Sequence, residues 1–163
     1  MSRDESRYLT PIGDEKKRPS GMALMPGRRL TKEEIVLETI AYYSTHPRAT
    51  SRISCVYLTE DGRRCAFSRC CTKKFTEQIS EIYDSVRGVL HIVGPTRLQR
   101  GLMARYRGHD AMFWVAIQHL HDRDHHWNGT EFLEAGYRYV TDTFPITREQ
   151  ITEAIRRAKE SGA

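Results

Sequence analysis

The sequence predicts an α+β fold that is mainly helical, with about five helices and one β-hairpin near residues 54–67. Three observations carry this reading. Helix-start signals recur along the chain, with Thr31 and Glu34, and again Thr147 and Gln150, spaced as capping boxes. Asp61-Gly62 separates two β-capable runs, which is a hairpin signal. Elsewhere the apolar residues recur at helical rather than alternating spacing. The chain has 163 residues, enough to bury a core without disulfides. Its hydrophobic content of 39% is low for a wholly globular chain, which points to a tail outside the core.

That tail is residues 1–29, and residues 30–163 form a single compact α+β domain. The tail is basic, with Pro11, Pro19 and Pro26 and no apolar periodicity. Met22, Leu24 and Met25 are a candidate short anchor. Order begins at Leu30. Thr31 caps a helix running to about Ser44, with Leu30 and Ile35 as a hydrophobic staple and Val36, Ile40 and Tyr43 facing inward. Strands near 54–58 and 63–67 flank Asp61-Gly62. A second helix over 73–86 carries the stripe Phe75, Ile79, Ile82, Val86. Val89–Val93 reads as a short strand ended by Gly94-Pro95, followed by an Arg-rich loop with a helical turn. A third helix over 110–122, capped by Asp110, buries Phe113, Trp114, Ile117 and Leu120. The pattern from Trp127 to Phe132 reads as the start of a fourth helix over 129–142. A fifth follows Thr147 and packs through Ile151, Ala154, Ile155 and Ala158.

Charge is unevenly distributed. The total is +5 at neutral pH and the pI is about 9.1. Residues 48–74 carry seven basic side chains against Glu60 and Asp61. Residues 85–109 carry Arg87, Arg97, Arg100, Arg105 and Arg107 with no acid, while residues 110–163 are net acidic. Arg outnumbers Lys by 20 to 6. The planar guanidinium fork suits phosphate and carboxylate, although a GC-rich genome would give the same excess. The five arginines of 85–109 are the candidate partner-binding residues, since uncompensated like charge raises a local positive potential. Counter-charges in the acidic C-terminal part are the competing reading.

Two clusters could hold a metal, and neither has a strong spacing. Cys55, Cys65, Cys70 and Cys71 lack the paired CxxC knuckles that set two thiolates at tetrahedral spacing. Buried free thiols are the simpler reading, with a disulfide or a zinc site on Cys55, Cys65 and Cys70 or Cys71 as alternatives. In the string His119 to His126, a continuous helix would place His119, Asp122 and His126 on one face, and His121 with His125 on another. There is no HExxH, and no nucleophile or phosphate loop accompanies the string. No metal and no cofactor are therefore expected. No stretch approaches a membrane span, and the first 30 residues contain no apolar leader core, so a cytoplasmic protein is expected.

Three segments carry a resemblance. They are Ala41-Tyr42-Tyr43 with Pro47-Arg48; Cys55-Val-Tyr-Leu-Thr-Glu-Asp-Gly62-Arg-Arg-Cys65-Ala66 with Arg69; and Tyr106-Arg-Gly108-His109 with Phe113-Trp114, Gln118 to Asp122 and Trp127. Together, over about residues 32–142, they resemble a family of small uncharacterised phage and prophage proteins. Ser68 stands where that family often has Gly. The resemblance brings no activity with it. It implies a phage-encoded protein at work in the cytoplasm of a bacterial host. The leading expectation is an accessory protein without catalysis that binds and modulates a host or phage protein. A nucleic-acid binder using the two basic segments is the alternative, though no recognition-helix, RRM or zinc-finger signature is present. A metal-dependent hydrolase using the His/Asp string is third.

Overall fold

The computed structural model of the chain describes residues 27–50, 56–82 and 85–162. Among them are seven α-helices: α1 Lys32–Tyr43, α2 Ala66–Arg69, α3 Lys73–Ser80, α4 Val86–Gly101, α5 Ala111–Asp122, α6 Glu134–Thr143 and α7 Arg148–Ser161. One antiparallel pair, β1 Trp127–Asn128 and β2 Glu131–Phe132, completes the regular structure. The mainly helical α+β class is as expected, but the helix count is seven rather than five. No described helix is long and apolar enough to cross a membrane.

The capping signals locate helix starts well because they satisfy backbone N–H groups that have no partner inside the helix. Both boxes are closed: Thr31 with Glu34, and Thr147 with Gln150. The Asp110 carboxylate accepts from the Phe113 N–H at 2.9 Å and starts α5. Helix α7 packs against α1, burying Ile151 and half-burying Ala154, Ile155 and Ala158. Residues 1–26 of the expected tail, with Met22, Leu24 and Met25, lie outside the described residues. From Leu30 the chain is fixed, its N–H donating to the Arg105 carbonyl at 2.8 Å.

The hairpin expected near 54–67 is a correction. The turn itself exists: Gly62 has φ 84°, and the Thr59 N–H donates to the Arg63 carbonyl at 2.8 Å. The ladder does not extend among the described residues, where this turn is closed by the single bridge Leu58–Arg64. One residue later the Cys65 sulfur accepts from the Ser68 N–H and caps α2, committing the chain to helix. The two-stranded sheet lies instead where a helix start was expected. Gly129, at φ 59°, reverses the chain. Trp127 and Phe132 pair across the strands with ring centroids 4.7 Å apart, both buried, and α6 begins only at Glu134.

Helix two is also two pieces. Helix α3 stops at Ser80, and the Ser85 hydroxyl accepts from the Gly88 N–H to start α4. The expected strand 89–93 is helical. Val86, Val89, Leu90 and Val93 are all buried, a spacing of 3, 1 and 3 that lines one side of a helix. Gly94, at φ 73° and ψ 170°, breaks the helical path, and Pro95 opens a second helical half that buries Leu98 and Gly101. The core is one cluster around Trp114, Tyr43, Tyr106 and Phe67, all of which are fully buried.

Candidate anion-binding cleft

The five arginines of 85–109 do not form one surface. Arg105, exposed, and Arg107, half-buried, are each held by groups of the fold. The Arg105 guanidinium reaches Glu38 at 3.2 Å and donates to the Tyr106 hydroxyl, while Arg107 Nε donates to the Leu102 carbonyl at 3.0 Å. Arg87 is exposed, with its guanidinium 4.0 Å from the Met112 sulfur. Arg97 and Arg100 are exposed on the second half of α4 and make no ion pair with a described residue.

These two arginines face α3 across a cleft of about 360 Å³, lined by Thr72, Lys74, Phe75, Gln78, Arg97, Arg100 and Gly101. Backbone bonds hold the two walls together. The Thr72 N–H donates to the Gly101 carbonyl at 2.8 Å, and the Met103 N–H to the Cys70 carbonyl at 3.0 Å. The close approach depends on Gly101. A Cβ there would lie 2.3 Å from the Phe75 ring, well inside contact distance. Helical spacing sorts the cations of α3. Lys74 and Gln78, four residues apart, line the cleft, whereas Lys73 on the adjoining stripe sits 4.0 Å from Glu77. Every ionisable group lining the cleft is a cation, and Gln78 and Thr72 add further hydrogen-bond donors. Gln78 and Thr72 are not among the sequence candidates, and Lys74 enters there only as one of the seven basic side chains of 48–74. Their helical face was legible, but its position against Arg97 and Arg100 was not.

Of the described basic side chains of 48–74, Arg48, Arg63 and Arg69 are engaged by groups of the fold. Arg48, its side chain 10% exposed, donates to the His121 carbonyl at 2.6 Å and lies 5.8 Å over Trp127. Arg63 pairs with Asp61 at 2.9 Å. Arg69 is the hub of a half-buried network: its guanidinium meets Glu38 Oε1 at 2.8 Å, Thr39 Oγ1 at 3.3 Å and the face of Tyr42 at 5.0 Å. The same carboxylate oxygen accepts from the Tyr106 hydroxyl. Glu38 thus ties α1 to the end of α2 and to the turn at Ala104–Tyr106.

The His/Asp string is not one helix face. Helix α5 ends at Asp122, and a 3-10 turn carries Asp124–His126 away from its axis. His121 is fully buried, its Nδ1 2.7 Å from Asp122 Oδ1, and its Nε2 has no described partner. Gln118 donates to the same Asp122 oxygen at 2.7 Å. His126 turns back so that Nδ1 meets the Leu120 carbonyl at 3.3 Å. His119 and His125 are exposed, and His119 Nε2 lies 3.0 Å from the Arg123 guanidinium. Burial, with nearby Arg123, lowers the pKa of His119; burial, with His125, Arg123 and His119, lowers that of His126. So His119, Asp122 and His126 are drawn to different partners. Cys65, Cys70 and Cys71 are buried; Cys55 lies outside the described residues. Burial pushes the Cys70 thiol up to about 12 and the Cys71 thiol well above its ordinary value. Protonated thiols are poor nucleophiles and poor metal ligands. Among the described residues no three His, Cys, Asp or Glu side chains are grouped to hold a metal ion.

No protein-family model matches the chain, and comparison with curated proteins and with solved structures likewise finds no match.

Proposed function

We propose that the protein is a non-catalytic binding module that docks an acidic segment of a partner protein on the α3–α4 cleft and modulates that partner. One observation carries this reading. Lys74, Arg97 and Arg100 line a single cleft without an ion pair to any described residue, while Arg48, Arg63, Arg69 and Arg105 are held by groups of the fold itself. Three cations without an ion pair therefore converge on one cleft, and an opposite charge on a partner is what compensates them. A nucleic-acid backbone favours a longer basic track. Here α3 carries Glu77 beside Lys73, and Glu81 follows it, both exposed, so the positive surface is interrupted. The setting, a phage-encoded protein in the cytoplasm of a bacterial host, rests on the sequence resemblance over residues 32–142 alone.

The test is affinity purification of the tagged full chain from the bacterium that makes it, with and without nuclease, beside the variant Arg97→Ala/Arg100→Ala. We expect a nuclease-resistant protein partner that the variant fails to retain. The variant should keep its fold, because exposed side chains without partners contribute within about 0.5 kcal/mol. Retention of that partner by the folded variant would move the interface elsewhere, and loss of all binding after nuclease would favour nucleic acid.

A further inference from the structure

Resting on that docking reading, we propose that the cleft recognises one phosphomonoester group, carried as a phosphorylated serine or threonine on the partner's segment. The cleft presents Lys74, Arg97 and Arg100, the amide of Gln78 and the hydroxyl of Thr72, with no carboxylate or histidine among its lining side chains. The Thr72 oxygen already accepts the Phe75 N–H at 3.2 Å, which leaves its O–H free to donate. The lining is therefore a set of donors with three positive charges. A side-chain carboxylate offers one negative charge and two oxygens. A phosphomonoester offers about −1.5 to −2 and three acceptor oxygens, and so matches both the charge and the donor number better. The floor is fixed in advance. Gly101 lies against the Phe75 ring, and the Thr72-to-Gly101 bond holds the walls at their separation, so the backbone of the two walls needs no rearrangement on binding. The volume of about 360 Å³ admits a phosphoryl group together with neighbouring residues of the segment that carries it. On the neighbouring stripe Lys73 lies 4.0 Å from Glu77, outside the cleft lining.

The experiment is an amide NMR titration of the full chain at low salt with inorganic phosphate, then with a short peptide carrying one phosphoserine, and then with the same peptide carrying glutamate. Saturable shifts are expected for residues 72–78 and 97–101. The phosphopeptide should bind about tenfold more tightly than the glutamate peptide, and Arg97→Ala/Arg100→Ala should lose about tenfold with an unchanged thermal midpoint. Phosphate affinity should rise from pH 5.5 to 7.5 as its second proton is progressively lost, whereas sulfate affinity stays flat. Equal affinity for the two peptides, or a flat pH response with phosphate, overturns the proposal. So does tighter binding of an unmodified single-stranded oligonucleotide of the same length. If the peptides tie while partner capture still depends on Arg97 and Arg100, the phosphate inference falls and the docking reading stands. If phosphate binds as expected while capture ignores those arginines, the cleft is a phosphate site and the docking reading falls.

Discussion

Removing the Glu38 carboxylate tests how much of the fold depends on the Arg69 hub. Glu38 is 30% exposed and Arg69 only 12%, so the guanidinium has little water to replace a lost partner. Breaking a fully buried pair by deleting one member costs about 3–5 kcal/mol, because the surviving charge is stranded. Partial exposure of Glu38 lowers that figure, while loss of the acceptor for the buried Tyr106 hydroxyl raises it. The two effects share one oxygen and are not additive, so about 3 kcal/mol is expected for Glu38→Ala. At about 2–4 °C per kcal/mol for a chain of this size, the thermal midpoint should fall by about 6–12 °C. Urea unfolding followed by far-UV circular dichroism gives the free energy directly. The double variant Glu38→Leu/Arg69→Met should recover much of the loss, since apolar replacements strand no charge. A Glu38→Ala protein within about 1 kcal/mol of wild type would show that the network is a solvated surface pair, and the account of how α1 is tied to α2 would be wrong.

Gly101→Ala should cost about 1–3 kcal/mol, because its Cβ would overlap the Phe75 ring; Phe75→Leu in the same chain should return part of it, and an unchanged urea midpoint in the single variant would refute the packing. His126 has a lowered pKa in the folded state, for which burial is the first cause. The unfolded chain therefore binds the proton more readily: the contribution is present above about pH 6.5 and is lost as pH falls through the lower folded value. Between pH 7.5 and 5, wild type should lose more thermal stability than His126→Gln, and parallel profiles would contradict this. Cys70 and Cys71, buried and held as thiols, should react with a thiol reagent only as fast as the chain opens. Labelling of either in the folded chain faster than unfolding would show that the site is open.

Local chemistry was legible wherever a side chain acts on backbone a few residues away. Thr31, Asp110 and Thr147 each cap within three residues, and no distant contact competes with that bond. The buried stripe Val86, Val89, Leu90, Val93 was not legible as a helix: Val89–Val93 before Gly94-Pro95 looks like a strand and its end, and a break between helical halves gives the same two residues. Asp61-Gly62 marked a real turn, yet one bridge formed where a ladder was expected, because the Cys65 cap redirected the chain. At 127–132 the residues fit either a capped helix start or a hairpin, and the burial of Trp127 against Phe132 decided it. The charge of residues 85–109 was plain in the sequence, but its disposition was not. Arg105 meets Glu38, 67 residues earlier, while Arg97 and Arg100 meet only Lys74 and its neighbours across a cleft. Composition fixes how many cations a chain carries. Which of them stay unpaired depends on contacts between residues far apart in sequence, and only the folded packing of α1, α3 and α4 makes those contacts.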